Sequence, residues 1–182
     1  MTIPVTVADK FRSYLTFIED WDRKKNISHH FQYIEFLYKI KKIHDPRSTT
    51  RSLLIKTIII EYFTVIEAIL DALLCQLKVK VNMSDFVSID IDEYTKAERL
   101  LKLAKTYKII DSNVHSKLGQ IKGTRNKIHI KRPRENQPLE YECYTEKTLG
   151  QHEKSFQSFL TFLFNKHSIG KTSSYPWPWN VV

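Results

Sequence analysis

The feature that most constrains the fold is a long apolar segment, from Ser48 to Lys78, that contains neither glycine nor proline. At about 100° per residue, its polar side chains fall within roughly one third of a helix circumference, and the remainder is apolar. We therefore predict a long central helix that is buried on most sides and exposes one polar stripe. Charged residues interrupt the segment, so it is a poor membrane span. The polar positions are Thr57, Glu61, Thr64, Glu67, Asp71 and Lys78.

The rest of the chain also has helical periodicity. Four glycines and six prolines in 182 residues are few for a sandwich or a barrel, which needs many turns. Apolar residues recur at steps of three and four, which predicts helices over about 6–24, 28–43, 97–104, 111–130 and 149–167. The sequence His44-Asp45-Pro46 should end the second of these, because the residue before a proline avoids helical geometry. Asp111 is predicted as the N-cap of the fifth. We expect an all-α bundle of about five to six helices, forming one domain over residues 1–169 with a C-terminal tail at 170–182. Residues 139–144 alternate apolar and polar side chains, which predicts at most a short extended segment.

The expected location is the cytoplasm. The N-terminus lacks a basic region followed by an apolar core, so we expect no signal peptide. Cys75 and Cys143 lie in unrelated settings, which favours a reducing compartment over a disulfide framework. No spaced cysteine or histidine pair suits zinc, and no glycine-rich loop suits a nucleotide phosphate. We therefore expect a soluble protein with no cofactor, no metal and no membrane partner.

The whole chain has a formal net charge of +9, and its second half contains a basic patch. No acid occurs between Asp111 and Glu135. Two interpretations stay open. The patch is either a solvated helix end, where cations suit the helix dipole, or a binding surface for an acidic partner such as nucleic acid. Its cations are Lys117, Lys122, Arg125, Lys127, Lys131, Arg132 and Arg134.

One of these cations, Arg125, interrupts the apolar stripe of the predicted fifth helix. A guanidinium on a core-facing stripe keeps its charge and therefore needs an acceptor. His129 lies one turn further on the same face, and Asn126 is adjacent in sequence. One interpretation is a structural ion pair between Arg125 and an acid of the central helix. The apolar stripe comprises Val114, Leu118, Ile121 and Ile128, and the candidate acids are Glu61, Glu67 and Asp71.

The other interpretation of Arg125 and His129 is phosphodiester chemistry. An imidazole with an ordinary pKa near 6.5 can take a proton from a ribose 2′-hydroxyl and return one to the leaving 5′-oxygen. A planar guanidinium can hold the phosphate through two hydrogen bonds and stabilise transition-state charge. Asn126 could orient the imidazole or bond to a ribose or phosphate. Such a reaction needs no metal and leaves a 2′,3′-cyclic phosphate.

The segment IKGTRNKIHI, residues 121–130, resembles the signature of the HEPN superfamily: an arginine, a polar residue, and a histidine near the end of a helix. The preceding EYFTVIEAILDALL and ERLLKLAKTYKIID are also similar to that family, so the resemblance covers about residues 48–131. Three residues separate Arg125 from His129, fewer than is usual in the family. The resemblance implies an up-and-down helical bundle that often dimerises around two facing motifs.

Two functions follow from this resemblance. The first is a metal-independent endoribonuclease of toxin, defence or RNA-processing type, with Arg125, His129 and Asn126 as catalytic residues. The alternative is a noncatalytic module that binds RNA, a nucleotide or a protein through the same patch. The implied partners are RNA or a nucleotide, a second copy of the chain, and an antitoxin or nucleotidyltransferase. The expected nucleic-acid-binding residues are Lys122, Lys127, Lys131, Arg132 and Arg134.

Overall fold

A computed structural model describes residues 3–82, 96–126 and 140–167, and within these ranges the chain forms six α-helices and no strand. The predicted all-α fold is therefore confirmed. A 3-10 helix, Glu140–Cys143, precedes the last α-helix. In chain order the helices are α1 (Ala8–Tyr14), α2 (Trp21–His44), α3 (Ser48–Asn82), α4 (Ala97–Thr106), α5 (Ser112–Arg125) and α6 (Glu146–Lys166).

The central helix α3 organises the bundle, since α2, α4, α5 and α6 all pack against it. The predicted burial pattern is confirmed, because most apolar positions of α3 are buried while Thr57, Glu61, Thr64, Glu67 and Asp71 are partly exposed. The helix also runs a turn longer than predicted. Its fully buried side chains include Ile55, Ile58, Ile59, Tyr62, Phe63, Val65, Ile66, Ile69 and Leu74.

The predicted helix over 6–24 is wrong, since α1 ends at Tyr14 and α2 begins at Trp21. A tertiary contact with Gln76 of α3 supports the break. Its side-chain amide donates to the carbonyl oxygen of Phe17 (3.1 Å) and accepts from the backbone N–H of Glu19 (3.0 Å). These bonds satisfy backbone groups that a continuous helix would have paired internally. Asp20 then caps α2 by accepting from the N–H of Arg23 at 3.0 Å.

Where the sequence predicted at most a short extended segment over 139–144, residues 140–143 form the 3-10 helix. A strand needs a neighbouring strand to pair its backbone groups, and none exists within the described residues. The 3-10 helix pairs those groups locally and packs against α3. Residue 139 lies outside the described ranges.

Two predicted helix ends agree with local chemistry. Asp45 ends α2 in the left-handed region, with φ of 37°, directly before Pro46. Asp111 caps α5 as predicted, accepting from the N–H of Val114 at 2.7 Å. The description of α5 stops at residue 126, so its predicted continuation to 130 and the predicted tail at 170–182 lie outside the described residues. None of the described helices is long and apolar enough to cross a bilayer.

Candidate functional site

Arg125 is the last residue of α5 and lies at the edge of the core. Val114, Leu118 and Ile121 are buried along the same helix, as the stripe predicted. Arg125 itself is half-buried, and its guanidinium carbon lies 5.7 Å from the ring centroid of Phe63 on α3. A cation over an aromatic face at this distance is attracted by the ring quadrupole. The aliphatic part of the side chain therefore continues the stripe, while the charge reaches its rim.

The charge of Arg125 acts on the carboxyl group of Glu67 on α3. Burial raises the pKa of the Glu67 carboxyl above its ordinary value, and the charge of Arg125 lowers it by a smaller amount. Within the described residues, Arg125 forms no direct ion pair with an acid of α3. Arg125 Nη1 donates a long hydrogen bond of 3.4 Å to Oδ1 of the exposed Asn126. Among the described residues, therefore, no buried salt bridge seals the guanidinium.

The other two acids of the polar stripe on α3 pair with basic residues of α2. Glu61 Oε2 lies 2.7 Å from Nδ1 of His30, and Asp71 Oδ2 lies 2.7 Å from Nη1 of Arg23. Of the three acids that the sequence offered as partners of Arg125, the structure brings Glu67 to it and pairs the other two with α2.

Thr124, the residue before Arg125, is held by two residues that follow the basic segment in sequence. His152 Nε2 of α6 lies 2.8 Å from the Thr124 hydroxyl, and the Tyr144 hydroxyl donates to the Thr124 carbonyl oxygen at 3.3 Å. His152 and Tyr144 are both buried. Burial lowers the pKa of His152, and its Nδ1 has no hydrogen-bond partner among the described residues. We call Thr124, Tyr144 and His152 the α5 clamp.

The α5 clamp is a feature that sequence reasoning missed. His152 lies 28 positions after Thr124 and belongs to no recognisable motif. Neither residue type nor spacing signals the contact, which exists because α5 and α6 pack side by side. The clamp joins described residues that precede and follow positions 127–139 in sequence, and those positions hold most of the predicted basic patch.

A second polar group joins α2, α3 and α6 inside the bundle. The Tyr38 hydroxyl hydrogen-bonds to the Tyr62 hydroxyl and to Oε2 of Glu153, the latter at 3.0 Å. Burial raises the pKa of Glu153, and burial likewise keeps both phenols protonated by raising the pKa of each. This network satisfies buried oxygens on three helices, so we assign it a structural role.

The remaining predicted site residues are divided between described and undescribed parts of the chain. His129, Lys127, Lys131, Arg132 and Arg134 lie outside the described residues. Two cations of the patch that are described make contacts within the bundle. Lys122 Nζ lies 3.6 Å from Glu98 Oε2, and Lys117 Nζ donates to the Ser158 hydroxyl at 3.1 Å.

The arrangement around Arg125 suits an anionic ligand. A guanidinium lies over an aromatic ring, an amide lies beside it, and Glu67, the carboxyl on which its charge acts, has a raised pKa. Nowhere in the described part of the chain do three or more potential metal ligands cluster. Comparisons with protein-family models, with curated proteins and with solved structures each gave no match to this chain.

Proposed function

We propose that this protein is a metal-independent endoribonuclease of the HEPN type, with Arg125 and His129 as its catalytic pair. The observation that carries the proposal is the position of the Arg125 guanidinium and its lack of a direct carboxylate partner among the described residues of α3. This arginine occupies a core-facing stripe, yet its charge reaches the rim of the bundle without a direct carboxylate partner on α3. A guanidinium kept in that position is available to two phosphate oxygens.

Phe63 and Glu67 would tune this arginine. The guanidinium carbon lies 5.7 Å from the centroid of the Phe63 ring, whose face attracts the cation. Glu67 is half-buried, and its raised pKa shows that the negative charge is disfavoured where it stands. A phosphate that binds Arg125 therefore competes with a carboxylate whose ionised form is disfavoured by burial.

The proposed reaction uses His129 as the general base and then as the general acid. The imidazole removes the proton of the ribose 2′-hydroxyl, and the 2′-oxygen attacks the adjacent phosphorus. The bond from phosphorus to the 5′-oxygen breaks, and the imidazolium returns the proton to that oxygen. Arg125 stabilises the charge on the non-bridging oxygens, and Asn126 orients the imidazole or bonds to the ribose or phosphate. The products are a 2′,3′-cyclic phosphate and a 5′-hydroxyl.

The test is cleavage of a labelled single-stranded RNA in the presence of EDTA. Wild type should cut and leave cyclic phosphate ends, whereas His129→Ala and Arg125→Ala should each lose at least about 100-fold in rate. Lys10→Ala, at an exposed position of α1, is the matched control for loss of a surface charge and should cut at the wild-type rate. Cleavage that survives His129→Ala, or no cleavage of any RNA by wild type, contradicts the proposal.

The same experiment separates the noncatalytic alternative, in which the chain only binds RNA, a nucleotide or a protein. The shorter spacing between Arg125 and His129 favours that alternative. It predicts binding that weakens steeply with salt, is lost in Arg125→Ala and persists in His129→Ala. The proposal extends to a cytoplasmic homodimer with an antitoxin or nucleotidyltransferase partner in a toxin, defence or RNA-processing system.

A further inference from the structure

Helix α2 has a second apolar face that points away from the core. Tyr33, Phe36 and Ile43 are 42%, 36% and 46% exposed, and Ile40 lies half-buried between them. Leu53 of the neighbouring α3 is 50% exposed. Isolated exposed apolar side chains are ordinary on a protein surface, whereas a contiguous row of them marks an interaction site. We call Tyr33, Phe36, Ile40, Ile43 and Leu53 the α2 seam.

The spacing of the α2 seam is that of a coiled-coil face. Its four α2 positions follow one another at steps of three, four and three residues, which places them on one side of a helix. The rings of Tyr33 and Phe36 stack with centroids 6.3 Å apart, so the row begins with a continuous aromatic surface. A row of this spacing fits the ridges of another helix better than it fits a flat or irregular partner.

The other sides of α2 are already used. Its core face is buried against α3, with Ile34 and Leu37 inaccessible. The segment before α1 covers a third side, where the N–H of Thr6 donates to Glu35 at 2.9 Å and Lys39 donates to the carbonyl of Pro4. Within residues 3–82, 96–126 and 140–167, no helix covers the α2 seam.

The charge around the α2 seam selects the kind of partner. Between Arg23 and Ile60 the sequence holds nine lysines and arginines but only two acids, Glu35 and Asp45. Both acids are paired within the bundle, Glu35 with Lys39 and Asp45 with Arg51. Two further cations pair with acids outside this segment, Arg23 with Asp71 and Lys41 with Glu146. Exposed cations lie beyond both ends of the row, at Lys25 and Arg47.

Two other occupants fit less well. A second copy of α2 would set one basic hairpin against another, and like charges brought together across an interface are repulsive. Single-stranded RNA would suit the cations and the two aromatic rings, but it would leave the aliphatic side chains of Ile40, Ile43 and Leu53 facing phosphate and ribose.

We propose that the α2 seam is a docking surface for an acidic amphipathic helix of another protein. The apolar ridge of that helix packs between Tyr33, Phe36, Ile40 and Ile43, and its flanking carboxylates meet the cations of the α2–α3 hairpin. This surface is separate in sequence from Arg125, so the proposal stands whether or not the chain cleaves RNA.

The probe is a fluorescein-labelled synthetic helix of three heptads, about 21 residues, with leucine at positions a and d and glutamate at e and g. The control probe is the same peptide with lysine in place of glutamate. Anisotropy titrations with the full chain should show binding of the acidic probe that weakens with salt. Binding of the lysine probe should be at least about tenfold weaker.

Two variants test whether the acidic probe binds at the α2 seam. Tyr33→Glu and Ile43→Glu change exposed positions, so the fold should persist, and each should weaken the acidic probe by at least about tenfold. Gln151→Glu adds the same charge at an exposed position of α6 and should bind as wild type does. Arg125→Ala should also bind the probe normally, which separates this surface from the proposed nuclease site.

Five outcomes would overturn the proposal. The first three are failure of the acidic probe to bind, equal binding of both probes, and loss of binding in Gln151→Glu as large as in Ile43→Glu. The fourth is a wild-type dimer, seen by sedimentation, that Ile43→Glu converts to monomer, because the α2 seam would then belong to a second copy. Competition by poly(U) should not depend on Tyr33; if it does, RNA is the occupant and the proposal fails.

Discussion

The Nε2 atom of His152 lies 2.8 Å from the hydroxyl oxygen of Thr124, and this contact ties α6 to the residue immediately before Arg125. With the bond from Tyr144 to the Thr124 carbonyl, it holds the end of α5 through both its side chain and its backbone. The position of the Arg125 side chain thus depends on residues that follow the basic segment.

Thr124→Val should lower the free energy of unfolding by about 1–3 kcal/mol, because it keeps the side-chain shape and leaves the buried His152 without its hydrogen-bond partner. Thr124→Ser keeps the hydroxyl and should lose less. Urea unfolding followed by circular dichroism measures both. A loss in Thr124→Ser as large as that in Thr124→Val would show that the hydrogen bond is not the main contribution of this side chain.

His152 should make the protein less stable in mild acid. Burial holds its pKa in the folded state below the unfolded value of about 6.5. Below about pH 6.5 the unfolded chain therefore binds more protons at this residue, and the free energy of unfolding falls until the pH reaches the folded pKa. Above that window the imidazole is neutral in both states and its contribution is constant.

The measurement is the difference in unfolding free energy between about pH 7.5 and pH 5.5, for wild type and for His152→Gln. The wild type should lose more stability over this interval than the variant does. Glu67 and Glu153 have raised pKa values, whose effect on stability has the opposite sign, but they are present in both proteins and cancel in the comparison. Identical pH dependence in the two proteins would rule out His152 as the responsible group.

Glu67→Gln should tighten the binding of single-stranded RNA by roughly threefold, because it removes a negative charge that acts on Arg125. This prediction depends on the proposed RNA site. Asp9→Asn removes a charge from an exposed position of α1 and serves as the control. Anisotropy titrations at two salt concentrations would measure both variants, and unchanged or weaker binding in Glu67→Gln would argue against a phosphate at Arg125.

Gln76→Ala should destabilise the fold by about 1–3 kcal/mol, since its side chain satisfies two backbone groups in the connection between α1 and α2. Gln151→Ala, at an exposed position of α6, should change stability by less than about 0.5 kcal/mol. Urea denaturation of the two variants compares them directly. A similar small effect in both would mean that the break after Tyr14 does not need Gln76.

Local chemistry made several elements predictable. The periodicity of residues 48–78 predicted a central helix with a partly exposed polar stripe, because burial follows directly from which side of a helix a residue occupies. Asp111 was predicted as a helix cap, because an N-cap bond spans only three residues. The apolar stripe of α5 placed Arg125 at the core for the same reason. His129 and the cations beyond residue 126 stay predictions.

Local sequence patterns could not predict contacts between residues that are far apart in sequence. Helical periodicity runs straight through residues 15–20, and the break there depends on Gln76, some 60 positions later. The choice of Glu67 among three acids, and the bond from His152 to Thr124, likewise depend on how α3, α5 and α6 pack. Periodicity reports which face of a helix is apolar, but it carries no information on which helix covers that face. Packing makes that choice, and it also leaves the α2 seam uncovered by any described helix.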